Sequence, residues 1–257
     1  MTDTPIAAGY VEHPPPAALR EYVECFWTRG GAPPPAARHH VIPDGCIDLV
    51  MMYDAALASE SPAAALVVGT MTRPLFVGAS EAAAFVGVRF WPGRALPFLG
   101  VPACEITDLR VSIGDLAARE ARGLATIQHG SLVAWREDLE ALLMGRLASA
   151  TSVDRTVDAA VGAILRAAGN LSISALAPAL GVTRQHLARA FALHVGVSPK
   201  TFARVARVRR ILAKARVASV VDWTALALDA GFYDQAHLSG EVRELTGRSP
   251  TEWLRSA

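Results

Sequence analysis

The sequence has little lysine, little cysteine, and no long apolar run. Lys200 and Lys214 are its only lysines, so arginine supplies nearly all the positive charge. That suits nucleic-acid recognition, but a GC-rich coding bias giving many Ala and Arg is the favoured cause. Cys25, Cys46 and Cys104 lie far apart with no Cys-x-x-Cys pair, which argues against a disulfide framework and fits a reducing, cytoplasmic setting. The longest charge-free stretch, Ala167–Thr183, has 17 residues. It contains Pro178 and two glycines and falls short of the ~20 apolar residues a spanning helix needs, so no membrane partner is expected. Met1–Pro16 lacks a basic segment followed by an apolar run, and no secretory leader is expected. A P-loop, a Gly-x-Ser-x-Gly elbow and a His-Glu-x-x-His run are all missing. No catalytic residue, cofactor or metal site is therefore assigned, and the chain is read as a non-enzyme.

The formal net charge of +1 over 257 residues conceals an asymmetry. Residues 1–150 carry 11 Arg against 16 acids, whereas residues 151–257 carry 14 Lys+Arg against 8 acids. Two domains of opposite charge are expected, and the length leaves room for two modest cores. With 52% hydrophobic residues the chain is too apolar to be disordered.

The first half reads as short strands divided by turns. The apolar runs are Arg38–Ile42, Ile47–Tyr53, Ala65–Thr70, Leu75–Gly78 and Ala84–Phe90, with Pro43–Asp44–Gly45 and Arg73–Pro74 among the breaks. This predicts a small antiparallel barrel or sandwich, cupin-like or barrel-like. Arg94–Leu99 reads as a short helix and Gly30–Ala37 as an exposed loop. From Ile113 onward the period becomes helical, with Leu132, Trp135, Leu139, Leu142, Leu143 and Leu147 recurring at helical spacing and Ser131 as N-cap. That stripe covers the sheet or pairs with a second copy, the covering role being favoured. The expected organisation is a β-rich domain over 1–148, a linker over 149–155 and an all-α domain over 156–257, an α+β chain of two domains.

The second half contains an internal repeat. Ala175–Leu176–Ala177 recurs as Ala225–Leu226–Ala227, Gly181 as Gly231, His186–Leu187 as His237–Leu238, Gly196 as Gly247, and Ser198–Pro199 as Ser249–Pro250. The offset is 50 up to the turn glycine and 51 beyond it, so the second turn holds one extra residue. Each unit has the grammar of a helix-turn-helix. A small alanine sits where two helices approach, a glycine supplies the turn, and Thr183 or Asp234 caps the next helix. Leu187 and Phe191, and then Leu238 and Val242, face inward. Between the units, Pro199–Ala215 reads as a helix bearing Arg204, Arg207, Arg209, Arg210 and Lys214.

Residues from about Ile173 to Arg255 resemble the AraC/XylS family of bacterial transcription regulators. The resemblance is carried by Leu176–Ala177, Gly181, His186–Leu187–Ala188–Arg189, Phe191, Gly196–Val197–Ser198–Pro199, Arg207, Ala227, Gly231–Phe232, Asp234–Gln235, His237–Leu238, Gly247 and Ser249–Pro250. It implies two helix-turn-helix subdomains on one long helix, placing recognition helices in successive major-groove segments of double-stranded DNA. The N-terminal half is similar to the sensor domain of a subset of these regulators through Pro43–Asp44–Gly45–Cys46, Gly69–Thr70–Met71–Thr72–Arg73–Pro74 and Gly87–Val88–Arg89–Phe90–Trp91–Pro92–Gly93.

The expected DNA-facing residues are Arg184, Gln185, Ala188 and Arg189 on the first recognition helix and Gln235, Ala236 and Ser239 on the second. Arg can donate bidentately to guanine and Gln to adenine. Gly240 stands where the family usually has Arg, so the first unit is expected to dominate specificity. Candidate phosphate contacts are Thr183, Arg204, Arg207, Arg210 and Lys214. A candidate effector pocket comprises His40, Cys46, Arg73, Arg89 and Trp91. The alternatives are a ligand-free dimerisation or partner module and, less favoured, a cupin-type metalloenzyme fused to the DNA-binding half. A homodimer and an RNA polymerase contact are family expectations. Activator and repressor are not distinguished.

Overall fold

The computed structural model describes residues 9–30, 39–54, 64–77, 82–116, 134–147 and 153–256. Of the expected loop at Gly30–Ala37 all but Gly30, which ends β2, lies outside them, as do the Ser131 cap and most of the linker. Among the described residues the first half has eight strands. They are β1 (Gly9–His13), β2 (Val23–Gly30), β3 (His39–Val41), β4 (Ile47–Asp54), β5 (Ala64–Val68), β6 (Leu75–Val77), β7 (Ala82–Phe90) and β8 (Arg110–Ser112). Six form an antiparallel sheet in the order β1-β2-β7-β4-β5-β8, and β3 pairs with β6 as a separate two-stranded ribbon. The five expected runs are all strands. Three further strands, β1, β2 and β8, are additions that the alternation did not reveal.

Period-two alternation gives the large sheet two different faces. On one face Phe26, Leu49, Met51, Tyr53, Val67, Val86, Val88 and Phe90 enter the principal core. Two helices cover this face, α1 (Leu96–Leu99) and α2 (Trp135–Leu147). Helix α2 buries Trp135, Leu139 and Leu143 against the sheet. Each buried leucine contributes roughly 1.5–3 kcal/mol. The stripe is thus used within the chain, and the support it lent to a dimer is withdrawn. The other face carries Trp27, Asp48, Val50, Met52, Leu66, Val68, Phe85 and Arg89 toward a cavity described below.

The second half is all-helical: α3 (Arg155–Arg166), α4 (Ile173–Ala179), α5 (Arg184–His194), α6 (Pro199–Val217), α7 (Trp223–Asp229), α8 (Gln235–Thr246) and α9 (Pro250–Ser256). Each start has a side-chain cap where the sequence places one, because the first N–H groups of a helix otherwise lack partners. Asp154 accepts from Val157 N at 3.0 Å, Thr183 from His186 N at 3.1 Å, Ser198 from Thr201 N at 3.1 Å and Asp234 from His237 N at 2.7 Å. Two cores result. The first gathers Val157, Ile164, Leu176, Ala177, Leu187, Phe191 and Phe202. The second gathers Val208, Leu212, Ala227, Phe232, Leu238, Val242 and Trp253. Helix α6 contributes to both and holds the units together.

Candidate nucleic-acid interface and ligand cavity

The repeat is a structural duplication. Gly181 and Gly231 both adopt positive φ, +70° and +76°, which a residue with a Cβ rarely adopts. After each glycine the chain folds back identically: Val182 N donates to Ala177 O at 3.1 Å and Phe232 N to Ala227 O at 2.9 Å. Ala177 and Ala227 are fully buried where the helices meet. Leu187 and Phe191 fix α5 against the first core, so Arg184, Gln185, Ala188 and Arg189 are left exposed on one side. Among the described residues neither Arg184 nor Arg189 makes an ion pair. A helix held by its inner face with free Gln and Arg on its outer face has the form of a major-groove reader.

The second unit presents a poorer surface. Gln235 and Ala236 are exposed and Ser239 is half-buried. The Gln235 Oε1 already accepts from Thr224 Oγ1 at 3.0 Å. Gly240 is exposed and carries no side chain.

The cations of α6 divide by partner. Arg204 is taken up inside the protein: its Nε donates to Glu241 at 2.8 Å and its Nη2 to Glu244 at 2.7 Å. Burial works against its charge, but those two carboxylates raise its pKa overall. Arg204 therefore neutralises α8 rather than standing free for phosphate. Arg209 reaches the first domain and donates to Asp44 O at 3.3 Å. Lys214 is bonded to Asp229. Arg207 donates to Gly169 O at 3.1 Å and lies over the Phe232 ring. Arg210 is exposed, and Thr183 is an exposed cap.

The N-terminal domain contacts both units at equivalent places. Thr70 Oγ1 donates to Val195 O at 2.6 Å and Thr107 Oγ1 to Gly196 O at 2.7 Å. Gly196 has φ +89°, and an added Cβ would lie 2.8 Å from the Thr107 hydroxyl. At the repeat-related Gly247 (φ +69°) an added Cβ would lie 3.0 Å from the Phe76 ring. Both recognition helices are thus held at the turn that follows them. Between these points Gly45 sits so close to Phe202 that a Cβ there would come within 2.4 Å of its ring.

The open face of the sheet and the β3–β6 ribbon line a half-open cavity of about 150 Å³. Its walls are mostly apolar, from Trp27, Val50, Met52, Leu66, Val68, Met71 and Phe85, with Val41 and Leu75 supplied by the ribbon. Arg89 and Asp48 form its polar end. Arg89 Nε lies 3.2 Å from Asp48 and 3.5 Å from Asp44, and Trp27 Nε1 donates to Asp48 at 2.9 Å. Burial raises the Asp48 carboxyl to about 6, with Arg89 pulling downward and Asp44 adding to the rise. Arg29 also lines the cavity and has no acidic partner among the described residues; its burial lowers its pKa.

Of the five residues expected to form this pocket, Arg89 alone lines it. Cys46 is buried beside Glu24, and burial followed by the Asp44 charge holds its thiol well above the usual range. His40 stacks on Phe76 at 4.7 Å on the ribbon's other side. Arg73 is exposed near Asp108, and Trp91 is exposed, donating to Arg20 O at 3.2 Å. The cavity lining that the sequence reading missed, Trp27, Val50, Met52 and Phe85, looks like ordinary core. Only the alternation along β4 and β7 hinted at a second covered face. Among the described residues no group of His, Cys, Asp and Glu is arranged to hold a metal ion.

Residues 176–256 match the family model of a helix-turn-helix domain, and residues 11–112 match a domain of unknown function, DUF6597. No curated protein matches the chain. Among solved structures it is similar to an apo variant of ToxT from Vibrio cholerae, at 12% identity over 90% of this chain and 97% of that one, with a TM-score of 0.45. It is also similar to ToxT of the same organism bound to an unsaturated fatty acid, at 11% identity over 96% and 95%, with a TM-score of 0.42. The chain thus carries a helix-turn-helix domain, whose unit is duplicated on one long helix, behind a β-rich first half that matches DUF6597.

Proposed function

We propose that this chain is a DNA-binding transcription regulator of the AraC type, that it reads DNA mainly through α5, and that a small molecule in the N-terminal cavity alters how its second unit is held. The observation that carries the second part is the ribbon. Alternation gives β3 and β6 two faces: Val41 and Leu75 line the cavity, while His40 and Phe76 lie on the other side, where Phe76 abuts Gly247 and His40 lies beside Thr246 and Arg248. One two-stranded ribbon separates the cavity from the end of the second recognition helix. A ligand that shifts Val41 and Leu75 must shift their neighbours on the same strands. A coupling of 1–3 kcal/mol, or about 5–150-fold in affinity, is the usual size of such an effect.

Base reading is assigned to Gln185, Ala188 and Arg189, with Arg184 and Thr183 on phosphate. Gln235, Ala236 and Ser239 mainly anchor the second unit. The cavity volume matches an occupant of about one ring, since an engineered cavity of roughly 150 Å³ accepts benzene.

A metabolite screen by thermal shift, followed by DNA titration, tests the coupling. A ligand that raises the melting temperature is expected to change the DNA affinity of the wild type and to do so much less in Phe76→Ala, which keeps the cavity lining. A stabilising ligand that changes affinity equally in both proteins would remove the ribbon from the account. One that leaves wild-type affinity unchanged would remove effector control.

A further inference from the structure

A groove of about 200 Å³ lies between the two helix-turn-helix units, lined by Arg166 and Asn170 from the first, Arg207, Arg210 and Lys214 from α6, and Asp229 from the second. Four cations face one carboxylate, and that carboxylate is bonded to Lys214. Arg166 and Arg210 are exposed, and neither bonds a carboxylate among the described residues. Arg207 is the fixed member. Its Nη2 is tied to Gly169 O and its guanidinium rests on Phe232, yet its buried Nε has no acceptor. Desolvated donors without an acceptor are costly, and an ordered water or an anion at the groove would each relieve that cost.

The position of the groove narrows what that is. Gly231, in the turn that leads into α8, comes so close to Asn170 that an added Cβ would lie 2.5 Å from its Oδ1. The groove therefore opens beside the N-terminal end of the second recognition helix, at the seam between the units. DNA running from one recognition helix to the other must cross that seam, and its backbone presents singly charged oxyanions there.

We infer that the groove seats one backbone phosphate of the DNA strand passing between the two units, held by Arg166, Arg207 and Arg210. This rests on the proposed DNA reading and adds a contact at the seam, made by Arg166 of the first unit and by Arg207 and Arg210 of α6. A phosphate held there ties the DNA strand to the helix that contributes to both cores.

The test is the salt dependence of binding to a random-sequence duplex, using full-length wild type and the double variant Arg166→Gln/Arg210→Gln. Both substituted side chains are exposed, and equal melting temperatures confirm the fold. The slope of log K against log salt should fall by about 0.9 for the lost phosphate, so the ratio of wild-type to variant affinity should shrink about 3.5-fold between 50 and 200 mM salt. On a bound duplex carrying one neutral methylphosphonate at the central linkage, the wild type should weaken while the double variant is indifferent. An unchanged slope in a wild type that binds DNA overturns the seat alone. If the wild type binds no duplex at low salt, the DNA reading falls with it. Inorganic phosphate that stabilises the wild type but not the variant, with the DNA slope unchanged, would assign the groove to a free anion and overturn the DNA assignment.

Discussion

Phe202→Ala should lower the stability of the helical half by about 3–5 kcal/mol, the usual cost of emptying a buried aromatic site. Phe202 is 1% exposed. It meets Phe191 edge-on with ring centroids 6.1 Å apart, and Phe191 is the residue that anchors α5. Removing the ring therefore loosens the first recognition helix from behind. It also removes the surface against which Gly45 is packed, so the first domain loses part of its seat on α6. Chemical denaturation followed by helical circular dichroism should show an earlier transition for the variant, with DNA affinity reduced in proportion to the unfolded fraction. A loss below about 1 kcal/mol would mean that the site collapses easily and that Phe202 is not the pivot described here.

The second large effect is on sequence discrimination. Arg189→Ala should reduce binding to a selected site by about 5–150-fold, which corresponds to the 1–3 kcal/mol of one good base contact. Binding to random DNA should change much less, because base contacts specify while phosphate contacts position. Gln235→Ala should cost less, since the Gln235 carbonyl oxygen is already occupied by Thr224. Competition titrations on one selected site measure both. If Gln235→Ala abolishes selective binding while Arg189→Ala leaves it intact, the assignment of reading to the first unit is reversed.

The helical half was legible because its signals are local. The turn glycines Gly181 and Gly231, the caps Thr183 and Asp234, and the inward Leu187, Phe191, Leu238 and Val242 all sit where the repeat puts them. The β-rich half was less legible because both faces of its sheet are covered. Strand β2 buries Cys25, Phe26, Trp27 and Thr28 in succession, so period-two alternation vanishes and the strand escapes notice. For the same reason Trp27, Val50 and Phe85 resemble core residues although they wall a cavity. Long-range pairing was hidden altogether. Arg204 reads as a phosphate contact in the sequence, and nothing local ties it to Glu241 and Glu244. They satisfy one another across 37 and 40 residues of sequence.

This exchange also refines the charge asymmetry of the chain. Within the second half Arg204 and Lys214 are paired with carboxylates, whereas Arg184 and Arg189 on α5 and Arg166, Arg207 and Arg210 in the groove bond no carboxylate among the described residues. The second recognition helix keeps Arg243 exposed but little else that is positive. It is supported by α6 and by the ribbon rather than by its own charge.

The most direct test of the central claim is a hydroxyl-radical footprint of the full chain on a site selected from a randomised pool. Two helix-turn-helix units on one helix should protect two segments on the same face of the duplex, about one helical turn of 10–10.5 bp apart. Protection should persist between them at the phosphate assigned to the groove. Protection of a single segment, or none at low salt where phosphate contacts alone should give measurable affinity, would contradict the account.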